Sequence, residues 1–212
     1  MPILRDYLNC LPLIAILRGI QPDEAVTVAE VLLANGFRIL EVPLNSPRPY
    51  ESIARLMDYA GGTALIGAGT VLTVEQVQQV AATGAQLIIS PNTNEAVIRA
   101  TKLRHLLSLP GAATPSEGFA ALGAGADGVK LFPGEMLTPS ILNAWRAVFP
   151  NDALLLPVGG ITPETLAGYL AAGANGFGIG SALYKPGYSA TEVGARAKAF
   201  VELYRQAAPK AP

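Results

Sequence analysis

Apolar and polar positions along the chain repeat one pattern four times: a helix-period apolar run, a glycine, then an unbroken apolar run. The stretches are LLANGFRILEV, AATGAQLIIS, LGAGADGVKLF and LAAGANGFGIG, with the glycines at Gly36, Gly84, Gly125 and Gly173. Each glycine suits the left-handed position just past a helix C-terminus, where a Cβ costs energy. Their separations are 48, 41 and 48 residues. A strand–helix unit takes roughly 20–30 residues, so each interval holds two. The pattern predicts strands near 12–18, 37–44, 64–70, 86–91, 105–110, 127–133, 153–159 and 175–181. Helices follow near 22–35, 48–60, 73–83, 94–103, 116–124, 138–148, 163–172 and 189–207. Pro22, Pro139 and Pro163 suit first-turn positions, and Thr73, Asn94 and Thr138 suit caps.

Strands such as LPLIAIL and LLLPVGG are nearly continuous apolar runs, as a parallel sheet covered on both faces requires. Strict alternation over eight units predicts an α/β fold: one compact (β/α)8 TIM barrel spanning 1–212, with a short N-terminal segment. The rival is an open doubly wound sheet. It needs a phosphate-binding glycine loop after the first strand, and LRGIQPDE lacks the G-x-G-x-x-G spacing.

Composition narrows the function. Half the 212 residues are apolar, 15% are charged, and the net charge is −1. No basic stripe points to nucleic acid or a membrane surface. No apolar run approaches the roughly 18 residues of a membrane helix, and no signal peptide is visible, so a cytoplasmic protein is expected. One cysteine, Cys10, excludes an intrachain disulfide and reads as packing. One histidine, His105, excludes a multi-histidine metal site; it falls at the N-terminal end of a strand, where a structural role suits it. Trp145 reads as a helix anchor.

Candidate chemistry begins in ADGVKLFPGE. Lys130 interrupts an apolar strand, and a buried unpaired charge is expensive. Side chains alternate along a strand. Val129 and Leu131 suit the helix layer, which turns Lys130 into the barrel; in RILEVPL the same alternation turns Glu41 inward with Ile39. Arg18 ends strand one, Thr70 ends strand three, and Asn92 follows strand four, all at the catalytic ends of a barrel. One reading of Lys130 and Glu41 is a buried structural ion pair. The other is catalytic: a desolvated amine is more easily neutral, and a neutral amine attacks a ketone to form a Schiff base. Of five lysines, Lys102, Lys185, Lys198 and Lys210 fall in helix or loop contexts; Lys130 alone occupies a strand interior. PVGGITPE and GFGIGSALY close the last two strands. Gly159, Gly160, Gly180 and Ser181 there offer backbone N–H groups and a hydroxyl to a phosphate, with a short helical turn expected after Gly180.

LPLIAILRGI, EVPLNSP, ALIGAGTVL, GVKLFP and VGGITPE with GIGSALY together resemble the class I KDPG/KHG aldolase family over about residues 11–207. The resemblance implies a homotrimeric (β/α)8 barrel. It implies that a phosphorylated keto acid is cleaved to pyruvate and glyceraldehyde 3-phosphate, with Lys130 as Schiff-base lysine, Glu41 as acid/base and no cofactor or metal. Phosphogluconate-type members carry an arginine where this chain has Asn45 and a threonine where it has Val158. With an arginine in ILRGI instead, those departures resemble the phosphogalactonate branch. They make Arg18 the candidate for the substrate carboxylate and Val158 a substrate-binding position near C4. The alternatives are a phosphogluconate or 4-hydroxy-2-oxoglutarate aldolase, a thiamine-phosphate-synthase-like transferase, and a non-catalytic phosphometabolite-binding barrel. The transferase would want strand-end carboxylates for Mg²⁺, which Glu41 alone supplies poorly.

Overall fold

The computed structural model describes residues 3–208; Lys210 lies outside them. The elements run α1 (Leu4–Cys10), β1 (Leu13–Ile16), α2 (Pro22–Ala34), β2 (Ile39–Pro43), α3 (Pro49–Ala60), β3 (Leu65–Gly69), α4 (Val74–Ala82), β4 (Leu87–Ile89) and α5 (Glu95–Leu103). They continue with β5 (Leu107–Leu109), β6 (Gly111–Ala112), α6 (Pro115–Gly123), β7 (Val129–Leu131), α7 (Pro139–Arg146), β8 (Leu155–Pro157), α8 (Pro163–Ala171), β9 (Phe177–Ile179) and α9 (Ala190–Ala207).

All strand pairs are parallel. A curled six-stranded sheet has the order β5-β4-β3-β2-β1-β9, and a three-stranded sheet has the order β6-β7-β8. This departs from the expected single eight-stranded ladder. The fifth predicted strand is divided at Pro110, which has no N–H to give a ladder. Contacts nevertheless link the sheets: Asp127 N donates to Ser108 O, Lys130 N donates to Pro110 O, and Val158 bridges Gly178 in parallel.

The glycine punctuation behaves as the repeat requires. Gly36, Gly84, Gly125 and Gly173 have φ between 82° and 99°. His105 takes the same place after α5 with φ 57°, and Leu106 N still closes the turn onto Thr101 O. Thr73 and Asn94 accept backbone N–H bonds as caps, whereas Thr138 makes no capping bond; its hydroxyl pairs with Ser140 instead. Thr114 and Ser189 form further capping boxes with Glu117 and Glu192.

Two apolar clusters follow from strand alternation. Leu40, Val42, Val129 and Leu131 face the helices and belong to one cluster with Val28, Leu32, Ile53 and Leu56 of α2 and α3 and Leu142 of α7. The opposite faces give a second cluster with Ile39, Leu65, Leu87, Leu109 and Leu156. Leu4 and Leu8 of α1 join this second cluster, so the N-terminal segment is a helical plug beneath the sheet interior. Burying such side chains contributes about 1.5–3 kcal/mol each. Trp145 is buried and stacks on Phe149 at 5.0 Å, an anchor between α7 and its surroundings. Cys10 is exposed, so the packing role expected of it does not hold.

Candidate active site

β7 and β2 deliver the two unusual charges. Lys130 is 5% exposed and lies across the ladder from Gly111 and Leu156. Glu41 is 2% exposed and lies across from Ile16 and Gly67. Both share the inner face with the second apolar cluster, as alternation from Val129 and Leu40 demands. Glycines make the room. A Cβ at Gly69 would lie 1.5 Å from Glu41 Oε2, so the carboxyl occupies the space that any other residue would fill.

The pair is not a structural ion pair. Among the described residues, Lys130 and Glu41 are absent from the N···O contacts within 4.0 Å, and Glu41 Oε2 is buried without a hydrogen-bond partner. Burial raises the Glu41 pKa to about 6, against an opposing pull from Lys130 and Arg18. Burial also lowers the Lys130 pKa, partly opposed by Glu41 and reinforced by Arg18. Its Nζ sits 4.5 Å from the centroid of the Phe132 ring. A carboxyl poised near neutrality beside an amine biased toward its neutral form suits proton transfer and nucleophilic attack.

Lys130 and Phe132 form the floor of a cleft of about 460 Å³, which Arg18, Val158, Gly159, Gly160, Gly180 and Ser181 also line. At its rim, Arg18 Nη1 donates to Asn45 Oδ1 and, at 3.5 Å, to Thr70 Oγ1. The guanidinium therefore ties the segment after β1 to the segments after β2 and β3. Thr70 holds a left-handed backbone, φ 57°, at the end of β3; such conformations cluster at working sites. Val158 closes one wall against β9: a Cβ at Gly178 would fall 2.7 Å from Val158 Cγ2.

Asn92 is not brought to this cleft. Its side chain is exposed and lines a separate hollow with Thr93, Asn94 and Glu117. The chain leaving β4 crosses directly over Gly111, where a Cβ would be 2.3 Å from Pro91 O, and this carries Asn92 outward. The segment after Gly180 is a hydrogen-bonded turn, Leu183 N and Tyr184 N both donating to Gly180 O, rather than the expected helical turn.

Two residues escaped the sequence reading. Glu135, which follows β7, lines the cleft and lies over the diglycine: Cβ atoms at Gly159 and Gly160 would be 2.5 and 2.9 Å from its side chain. Lys185, beyond Ser181, lines the same end. Neither has a strand or helix period to betray its direction. No group of three or more potential metal-ligating side chains occurs among the described residues, and none of the described helices is long and apolar enough to cross a membrane.

Comparisons with known proteins point to one family. The chain is 48% identical over 193 residues to a probable 2-dehydro-3-deoxy-6-phosphogalactonate aldolase of Rhizobium meliloti, covering 91% of each chain. It is 47% identical over 197 residues to 2-dehydro-3-deoxy-6-phosphogalactonate aldolase of Escherichia coli, covering 93% of this chain and 96% of that one. The solved structure described as native KDPGal superposes with a TM-score of 0.92 at 47% identity, covering 93% of this chain and 96% of the other. The family model described as KDPG and KHG aldolase matches residues 4–198, which span α1, the cleft and the first half of α9. This chain is thus a carbon–carbon lyase, a member of the KDPG and KHG aldolase family.

Proposed function

We propose that this chain cleaves 2-dehydro-3-deoxy-6-phosphogalactonate to pyruvate and D-glyceraldehyde 3-phosphate, and does so without a cofactor. The observation that carries the chemistry is the unpaired Lys130 on the cleft floor with Glu41 buried nearby. Neutral Lys130 Nζ attacks the C2 carbonyl, and loss of water leaves a protonated imine. Glu41 takes the C4 hydroxyl proton. The C3–C4 bond breaks, its electrons moving into the imine to form an enamine, and C4 becomes the aldehyde carbon of the departing triose phosphate. Protonation of the enamine at C3 and addition of water release pyruvate and return Lys130.

Arg18, with Thr70 beside it, is the candidate for the keto acid's carboxylate. Asn45 supports that reading by accepting from the guanidinium. Backbone N–H groups of Gly159, Gly160 and Gly180 with the Ser181 hydroxyl serve the phosphate. Val158, an apolar wall residue, offers no hydrogen bond to a C4 hydroxyl. That favours the galacto epimer over the gluconate epimer, which the alternative phosphogluconate aldolase reading would prefer. The contacts joining the two sheets support a closed eight-stranded (β/α)8 barrel as one domain, with β5 and β6 acting as one interrupted strand. A cytoplasmic homotrimer fits the same reading.

Pyruvate with borohydride should label Lys130 covalently, and Lys130→Ala should abolish cleavage in a folded protein; label on another lysine removes the assignment. A side-by-side assay on the two C4 epimers should favour the galactonate substrate. Val158→Thr should shift the ratio toward the gluconate epimer by about 2- to 13-fold, the worth of one net hydrogen bond. A wild-type preference for the gluconate epimer, unchanged in Val158→Thr, would assign the chain to the other branch.

A further inference from the structure

The phosphate end of the cleft carries a charge that works against its proposed ligand. Glu135 lies over Gly159 and Gly160, and its carboxylate has neither an ion-pair partner within 4.0 Å nor a side-chain hydrogen bond among the described residues. A phosphate held on those glycines would meet a like charge. The segment that carries Glu135 is tied down, with Gly134 N donating to Val158 O at 2.7 Å and Tyr169 Oη donating to Gly134 O at 2.8 Å. Glu135 is exposed, so solvent screens part of its charge, and a cation at this end of the cleft would offset the rest.

Three cationic side chains line the cleft: Lys130, Arg18 and Lys185. Lys130 is on the floor, and on the reading above its charge, as the protonated imine, is spent on the keto-acid end of the substrate. Arg18 is engaged with Asn45 and Thr70 at the ends of β1 and β3. Lys185 remains. It stands four residues beyond Ser181, just past the turn closed by bonds from Leu183 N and Tyr184 N to Gly180 O. Pro186 fixes the loop against the β1 side, where a Cβ at Gly19 would lie 2.6 Å from Pro186 Cγ. Among the described residues no carboxylate lies within 4.0 Å of the Lys185 ammonium.

We propose that Lys185 is a further substrate-binding residue, pairing with the distal phosphate and offsetting Glu135. The inference rests on the phosphate reading of the cleft above. Backbone N–H groups give the phosphate its seat and orientation; Lys185 supplies the compensating charge, and Glu135 tunes how much of it is felt. Substrates without the phosphate present no partner to Lys185, so the lysine sets specificity for phosphorylated over unphosphorylated keto acids.

The test compares wild type, Lys185→Ala, Lys185→Arg and Glu135→Gln on the phosphorylated keto acid and its unphosphorylated counterpart, with inorganic phosphate as inhibitor. Lys185→Ala should lower the phosphorylated-to-unphosphorylated ratio of kcat/KM by about 2- to 13-fold, mainly through KM, the worth of one net hydrogen bond at an exposed site. Inorganic phosphate should inhibit that variant more weakly by a similar factor. Lys185→Arg should recover most of both, and Glu135→Gln should strengthen phosphate inhibition. A wild type that favours the phosphorylated substrate, alongside a Lys185→Ala variant with an unchanged ratio and unchanged phosphate inhibition, overturns the role of Lys185 and leaves the phosphate seat standing. Equal losses on both substrates would also overturn it, as a structural effect. A wild type indifferent to the phosphate group and to inorganic phosphate overturns the seat itself.

Discussion

Glu41→Gln keeps the size and polarity of a protonated carboxyl while fixing its charge at zero, so it separates the cost of the buried charge from its use. Burial places the Glu41 pKa at about 6, against 4.5 for an exposed carboxyl. The folded protein therefore binds the proton more tightly than the unfolded chain. The stability from this group is fully present below pH 4.5 and is lost as pH rises through about 6. At ~1.36 kcal/mol per pH unit of displacement, the ionised side chain costs the fold about 2 kcal/mol at pH 8. Attraction to Lys130 and Arg18 is already contained in that figure, because both pull the same pKa down. The Gln variant should match wild type near pH 4 and exceed it by about 2 kcal/mol at pH 8. For a domain of this size that is roughly 4–8 °C in Tm. Thermal unfolding followed by circular dichroism across pH 4–8.5 at constant ionic strength reads the difference directly. The same variant should still form the imine with pyruvate while cleavage slows by about 10²–10⁴. A Tm gap that does not vary with pH, or a Gln variant less stable than wild type at pH 8, would refute the reasoning, because either result means the carboxylate is held by compensating contacts.

Gly69→Ala drives a methyl group to within 1.5 Å of Glu41 Oε2. It should displace the carboxyl and lower kcat by about 10²-fold or more, with pyruvate trapping at Lys130 preserved; unchanged turnover would show that the carboxyl's position is immaterial. Leu8→Ala removes part of the plug under the sheet interior and should cost about 2–5 kcal/mol in urea unfolding, a loss well under 1 kcal/mol indicating that α1 is only loosely seated.

What the sequence disclosed depended on whether a residue sits inside a regular period. Lys130 and Glu41 were legible because strand alternation assigns each position a face, and an ammonium or carboxylate among Val, Leu and Ile has few reasons to be there. The helix-ending glycines were legible for the same reason, through their left-handed backbone. Loops carry no such rule. Asn92 turns outward because of the chain's crossing over Gly111, a contact between distant segments that no local pattern encodes. Glu135 and Lys185 reach the cleft from loops after β7 and β9. The helix α1 has seven residues and two buried leucines, too short a stretch to establish a helical period. The caps are a different case. TPSE at 114–117 and SATE at 189–192 carry a capping signature in plain view, and the helix limits could have been drawn from it.

The plug formed by Leu4 and Leu8 bears on traffic as well as on stability. Leu8 meets Gly176 just before β9, whereas Gly180 and Ser181 just after β9 line the cleft, so hydrocarbon fills the end of the sheet interior opposite the cleft. On the proposed mechanism, substrate and products therefore use the cleft side: the triose phosphate leaves before water frees the pyruvate. In the condensing direction the proposal requires the reverse order, pyruvate tethered before the aldehyde enters.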